Sequence, residues 1–145
     1  MIAGFAFGQE SGFLVGAVSA FASNLFFGQG LYTPWQMLAF GVAGLVAGLL
    51  RNQKALLEKP WAMGLTGFFT VFLVVGPLLD TCSVFLAANE LNAKAVLGIY
   101  MAGVPVNLSQ SVCTFLTLLL IGKPFLEKLD RIRVKYGMME AGDGL

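Results

Sequence analysis

From Ser11 to Leu50 the chain carries no charged residue. A helix crossing the hydrocarbon of a bilayer needs about 20 residues. The tract is therefore too long for one span and fits two, with FFGQGLYTPWQM (26–37) as the turn between them. Spans are predicted at about 11–27, 34–50, 60–80 and 105–121, the first two short enough to suit a thin or little-tilted bundle. Residues 92–103, NAKAVLGIYMAG, are expected to form a short helix ahead of the last span. The reason is that Gly103 and Pro105 interrupt a continuous helix, whereas Pro105 suits the first turn of a new one. The opening MIAGFAF (1–7) is too short to span anything and reads as the end of a helix whose beginning is absent. The predicted fold is an all-α membrane protein, a bundle of four full transmembrane helices plus the end of another. It forms a single membrane-embedded domain over 1–145, with 122–145 as a tail.

Composition agrees with this pattern and narrows the function. Hydrophobic residues make up 57% of the chain, charged residues 12%, and the mean hydropathy is +0.80. Soluble domains carry about 25% charge, so too few charges are present to coat a water-facing surface. A net charge of +1 and the lack of any basic run laced with aromatics exclude a nucleic-acid surface. Histidine is absent, which removes the commonest metal ligand and general base. With no paired carboxylates inside the spans either, no catalytic residue, metal or cofactor is assigned. Cys82 and Cys113 form no CxxC pair and read as small buried hydrophobes. The N-terminus lacks the basic n-region of a signal peptide.

Eight of the nine basic residues fall in two places. Arg51, Lys54 and Lys59 lie in the 51–59 connection, and Lys123, Lys128, Arg131, Arg133 and Lys135 lie in the tail. Lys and Arg mark the cytoplasmic side. The C-terminus is thus expected in the cytoplasm, and the 28–33 turn and the 81–104 segment, with Glu90 and Lys94, on the outside.

Gly4, Gly8, Gly12, Gly16, Ala20 and Asn24 recur every four residues, and Gly41, Gly44 and Gly48 follow in the next span. Small residues at this spacing let backbones approach closely. Gly12, Gly16, Ala20, Gly44 and Gly48 are therefore candidates either for packing within the bundle or for docking another membrane subunit. Asn24 is an amide inside a span and needs a partner, from another helix or from a ligand. Thr33-Pro34-Trp35-Gln36 reads as a capping box, with Thr33 the cap, Pro34 the first helical residue and Gln36 reaching back. Gly28 and Gly30 supply the turn, and Tyr32 and Trp35 suit the interfacial aromatic belt. Gln29 exceeds what the turn needs. Asn107 and Gln110, three apart, share one helix face near the expected outer end. Together Asn24, Gln29, Tyr32, Trp35, Gln36, Asn107 and Gln110 are the candidate walls of a small-molecule pocket, aromatic with a few polar groups. Asp80 is expected at the outer end of its span, solvated. In the tail, Leu126, Leu129, Ile132 and Tyr136 recur at helical spacing among basic residues, as in a segment lying on anionic lipid or on a partner.

The residues at this point resemble a known family. AGFAFGQESGFLVGAVSAFASNLFFGQGLYTPWQMLAFGVAGLVAGLL (3–50), AGVPVNLSQSV (102–112) and GKPFLEKLDRIRVKY (122–136) are similar to the substrate-binding S component of energy-coupling factor (ECF) vitamin transporters. FFGQGLYTPWQM is the most specific part. The resemblance implies a six-helix membrane protein with both termini cytoplasmic, of which the four spans are helices three to six and residues 1–7 the end of helix two. On that reading the first helix and most of the second are missing. It also implies a protein that binds a vitamin or related micronutrient from outside and docks on a transmembrane T subunit driven by two ATPases. It implies no ATP site, and no GxxxxGK[ST] occurs here. Relatives tend to carry an acidic residue and a histidine where Asn107 and Gln110 stand, which points to a different ligand or affinity. Aromatic walls with neutral carboxamides suit a flat, ring-bearing vitamin. The alternative is a small structural or assembly subunit with no ligand of its own.

Overall fold

The computed structural model describes residues 1–87 and 92–136, all helices and their connections. In chain order they are α1 (Ile2–Phe7), α2 (Gln9–Phe27), α3 (Thr33–Leu49), α4 (Lys54–Glu58), α5 (Pro60–Thr70), α6 (Gly76–Ala87), α7 (Ala93–Thr117) and α8 (Lys123–Lys135). A 3-10 turn, Leu50–Asn52, follows α3. Four helical stretches are long and apolar enough to cross a membrane: Gln9–Phe27, Thr33–Asn52, Pro60–Ala87 and Ala93–Ile132. Large apolar side chains on their outer faces stay uncovered, Phe26 and Phe27 at 88% exposure each. Such faces suit lipid or another membrane-embedded surface.

The last two stretches are each built from two α-helices joined through a π-helical turn. Val71–Val75 links α5 to α6, and Leu118–Gly122 links α7 to α8. Both turns lie just ahead of a proline, Pro77 and Pro124. A proline has no N–H and its ring clashes with the carbonyl four residues back; the wider π turn opens the ladder where that bond is lost. Pro105, in contrast, sits inside α7 without ending it. The expected short helix over 92–103 is therefore a correction: it is the first half of one helix, because a membrane helix tolerates an internal proline when neighbours satisfy the freed carbonyl. The third span likewise runs past residue 80 to Ala87.

The four-residue glycine series also divides. Gly8 has φ 99°, a left-handed value that glycine takes without penalty, and it breaks the chain between α1 and α2. Gly4 belongs to α1. From Gly12 onward the small residues form a seam in which α2 and α3 meet backbone to backbone. A methyl group on Gly12 would fall on the Gly44 carbonyl oxygen, one on Gly16 on that of Phe40, and one on Gly48 on the backbone of Gln9. Ala20 is fully buried on the same helix.

One apolar cluster closes an end of the bundle with Phe5, Ala6, Ala47, Leu57, Met63 and Leu126, and Leu129 packs against it. The tail helix thus spends Leu126 and Leu129 on the bundle, while Ile132 and Tyr136 remain exposed. The expectation that all four face lipid or a partner is corrected to that extent. A second cluster, Ala39, Ala43, Val71 and Val75, fastens α3 to the first π turn. Glu90 and residues 137–145 lie outside the described residues.

Candidate functional site

The turn between α2 and α3 is held by its own side chains. Asn24 Nδ2 donates to Gln36 Oε1 at 2.7 Å and to Thr33 Oγ1 at 3.2 Å. Thr33 Oγ1 donates to Gln29 Oε1 at 3.0 Å and accepts from the Gly30 N–H at 3.2 Å. Tyr32 OH donates to the Gly28 carbonyl at 2.8 Å, which supports a glycine at φ 109°. Helix α3 starts at Thr33 itself, with Tyr32 as N-cap and no side-chain cap bond, so the expected capping box is a correction. Gln36 does not reach back to Thr33, whose N–H already donates to the Gly30 carbonyl at 3.0 Å, and its oxygen serves the buried Asn24 instead. Asn24 finds its partners on α3 and the turn.

Trp35 leaves this network and stacks on Phe85 of α6, ring centroids 5.8 Å apart at 22°. It ties the start of α3 to the far end of the Pro60–Ala87 stretch. Nearby on that stretch, Thr81 Oγ1 shares a 2.7 Å hydrogen bond with Tyr100 OH of α7.

The second polar group is deeper. Asp80 lies about two turns inside the end of α6, and Asn107 about four turns into α7. Asn107 Nδ2 donates to Asp80 Oδ2 at 2.7 Å, and both are buried, 7% and 9% exposed. Two expectations are corrected here. Asp80 is not solvated, since α6 continues beyond it, and Asn107 is not near the start of its helix, since α7 begins at Ala93. Beside the pair a cavity of about 360 Å³ opens between α6 and α7. Asp80, Ser83, Gly103, Asn107 and Gln110 line it with aliphatic side chains, and Gln110 is exposed.

The seven candidate pocket residues thus separate. Asn24, Gln29 and Gln36 meet through Thr33, Tyr32 braces the turn, Trp35 bridges to α6, and Asn107 and Gln110 share the α6–α7 cavity. That cavity is not lined by the α2–α3 carboxamides. Sequence reasoning missed Thr33 as the hub and Asp80 as Asn107's partner. An aspartate four residues after Gly76 on an otherwise apolar stretch is the one signal that could have found the latter. A larger apolar cavity of about 630 Å³ lies among Phe7, Gly16, Phe40, Val75, Thr117 and Leu118, and holds none of the seven. Among the described residues no cluster of His, Cys, Asp and Glu could hold a metal ion.

Four apolar helices around buried carboxamides and an intramembrane carboxylate define a multi-pass membrane protein of the solute-handling kind. The family model described as "ECF-type riboflavin transporter, S component" matches residues 1–129, and the chain belongs to that family. It is a transporter subunit and not an enzyme. No curated protein and no solved structure matches the chain.

Proposed function

We propose that this chain captures a vitamin or related micronutrient from outside the cell and delivers it by docking on a transmembrane T subunit driven by two ATPases. The observation that carries the reading is the polar pair Asp80–Asn107 beside Gln110, at an open cavity between α6 and α7 in a chain of the S-component family. The family's name makes riboflavin the first ligand to try, and its flat ring suits the aromatic wall of Trp35 and Phe85. In this reading Asn107 and Gln110 touch the ligand from the α6–α7 cavity, while Asn24, Gln29, Tyr32, Trp35 and Gln36, which do not line that cavity, shape the approach to it. The C-terminus is cytoplasmic: the 3-10 turn with Arg51, the 53–59 connection and α8 gather at the end closed by Phe5, Leu57 and Leu126.

The test is a titration of the purified chain, in detergent or nanodiscs, with riboflavin followed by flavin fluorescence. Saturable binding near one per chain is expected, weakened by Trp35→Ala with the helical content unchanged. Absence of saturable binding would sink the flavin reading.

A second reading, a structural subunit without a ligand, draws on the mutual satisfaction of Asn24, Gln29, Thr33 and Gln36. Those bonds hold the turn whether or not anything binds. It predicts unchanged stability on addition of any vitamin.

A further inference from the structure

Asp80 and Asn107 are seated reciprocally. A Cβ on Gly103 of α7 would fall on the Asp80 carboxylate, and one on Gly76 of α6 would stand 2.7 Å from Asn107 Cγ. Each polar side chain therefore packs directly on a glycine of the opposite helix, in space that any larger residue would take. Their mutual bond runs from Asn107 Nδ2 to Asp80 Oδ2. It uses one of the amide's two N–H donors and one carboxylate oxygen. Asp80 Oδ1 and Asn107 Oδ1 are left as acceptors, beside the amide's second N–H. Among the described residues lining the cavity, Asp80 is the single charged one, and Ser83 and Gln110 are the other polar side chains. Ser83 already directs its hydroxyl proton to the Leu79 carbonyl. A buried carboxylate in apolar surroundings is costly unless further donors reach it. The protein supplies one.

We infer that Asp80 and Asn107 form the ligand's recognition subsite and take a nitrogen-borne hydrogen-bond donor, a ring N–H or a protonated nitrogen. An anionic group placed there meets the carboxylate's negative charge and is repelled. This inference rests on the proposed function, and it adds Asp80 as the residue that sorts ligands by their donors.

The experiment uses the full chain in nanodiscs and two probes: riboflavin, whose ring carries an imide N–H, and the analogue methylated on that nitrogen. In the unmodified chain riboflavin is expected to bind at least about tenfold more tightly than the analogue. Asp80→Asn is expected to weaken riboflavin about tenfold and to bring the two probes close to equal, with the melting temperature of the free protein moved by only a few degrees. A purely structural aspartate would weaken both probes alike and keep their ratio. That result overturns the subsite, as does equal binding of the two probes by the unmodified chain. Should Asp80→Asn fail to fold, Ala102→Phe fills the same cavity from its exposed side without touching the carboxylate. It should abolish riboflavin binding, and undiminished affinity overturns the subsite. If the unmodified chain binds riboflavin without the expected preference, the subsite alone falls. If it binds no riboflavin, the flavin reading of the proposed function falls and the subsite with it.

Discussion

Thr33 handles three hydrogen bonds with one hydroxyl, donating to Gln29 and accepting from Asn24 and Gly30. That is the full capacity of the group. Replacing it by valine keeps the shape, leaves Gln29 and the Gly30 N–H without this partner and takes one of two hydrogen bonds from the buried Asn24 amide. Thr33→Val is expected to cost about 1–3 kcal/mol of stability, read as a lowered melting temperature, while Thr33→Ser stays close to the parent. Asn107 answers a harder demand, since its partner is a buried carboxylate. Asn107→Ala should destabilise the chain by about 3 kcal/mol, and the same loss in an Asp80→Asn background should be smaller. A double-mutant cycle measures that difference; equal losses in both backgrounds would show that the pair does not interact.

Helices α2 and α3 are joined by an absence of side chains. At Gly12, Gly16, Gly44 and Gly48 any added carbon meets backbone, which cannot swing aside. Gly44→Leu is therefore expected to separate the two helices, seen as lost monodispersity and faster proteolysis at the α2–α3 turn. The matching change at Gly98, where an added Cβ meets nothing, should be tolerated. The four long apolar helices are legible in the sequence because lipid demands unbroken apolar length, and apolar length is a local property. The breaks are harder to see. Gly8 ends a helix while Gly12 and Gly16 merely pack one, yet all three sit in the same four-residue rhythm. Pro105 stays within a helix, whereas Pro77 and Pro124 follow π turns, so the residue type alone does not tell the two apart. Asp80 was hidden for a related reason. Its partner comes from another helix, and nothing local to residue 80 announces Asn107.

Eight of the nine basic residues lie in the 51–59 connection and the 123–135 tail, while Asp80, Lys94 and the α2–α3 turn lie elsewhere. If the basic end faces the cytoplasm, a single cysteine at Gln29, in a chain with Cys82 and Cys113 replaced by serine and alanine, reacts with a membrane-impermeant thiol reagent added outside intact cells. A cysteine at Tyr136 reacts only after the membrane is opened. The reverse pattern would invert the assigned topology. Belonging to the S-component family sets the task of such a molecule, which is to hold a solute and then let it go.

The glycine seam has a mechanical side. Two helices in contact along their main chains cannot slide or rotate past each other without collision, so α2 and α3 behave as one plank. The plank meets the α5–α8 half of the bundle over softer ground: the stacked rings of Trp35 and Phe85, the methyl groups of Ala39 and Ala43 on Val71 and Val75, and the apolar hollow of about 630 Å³. Surfaces of that kind slip cheaply. A relative shift of the two halves is therefore expected at this boundary and not within the α2–α3 pair.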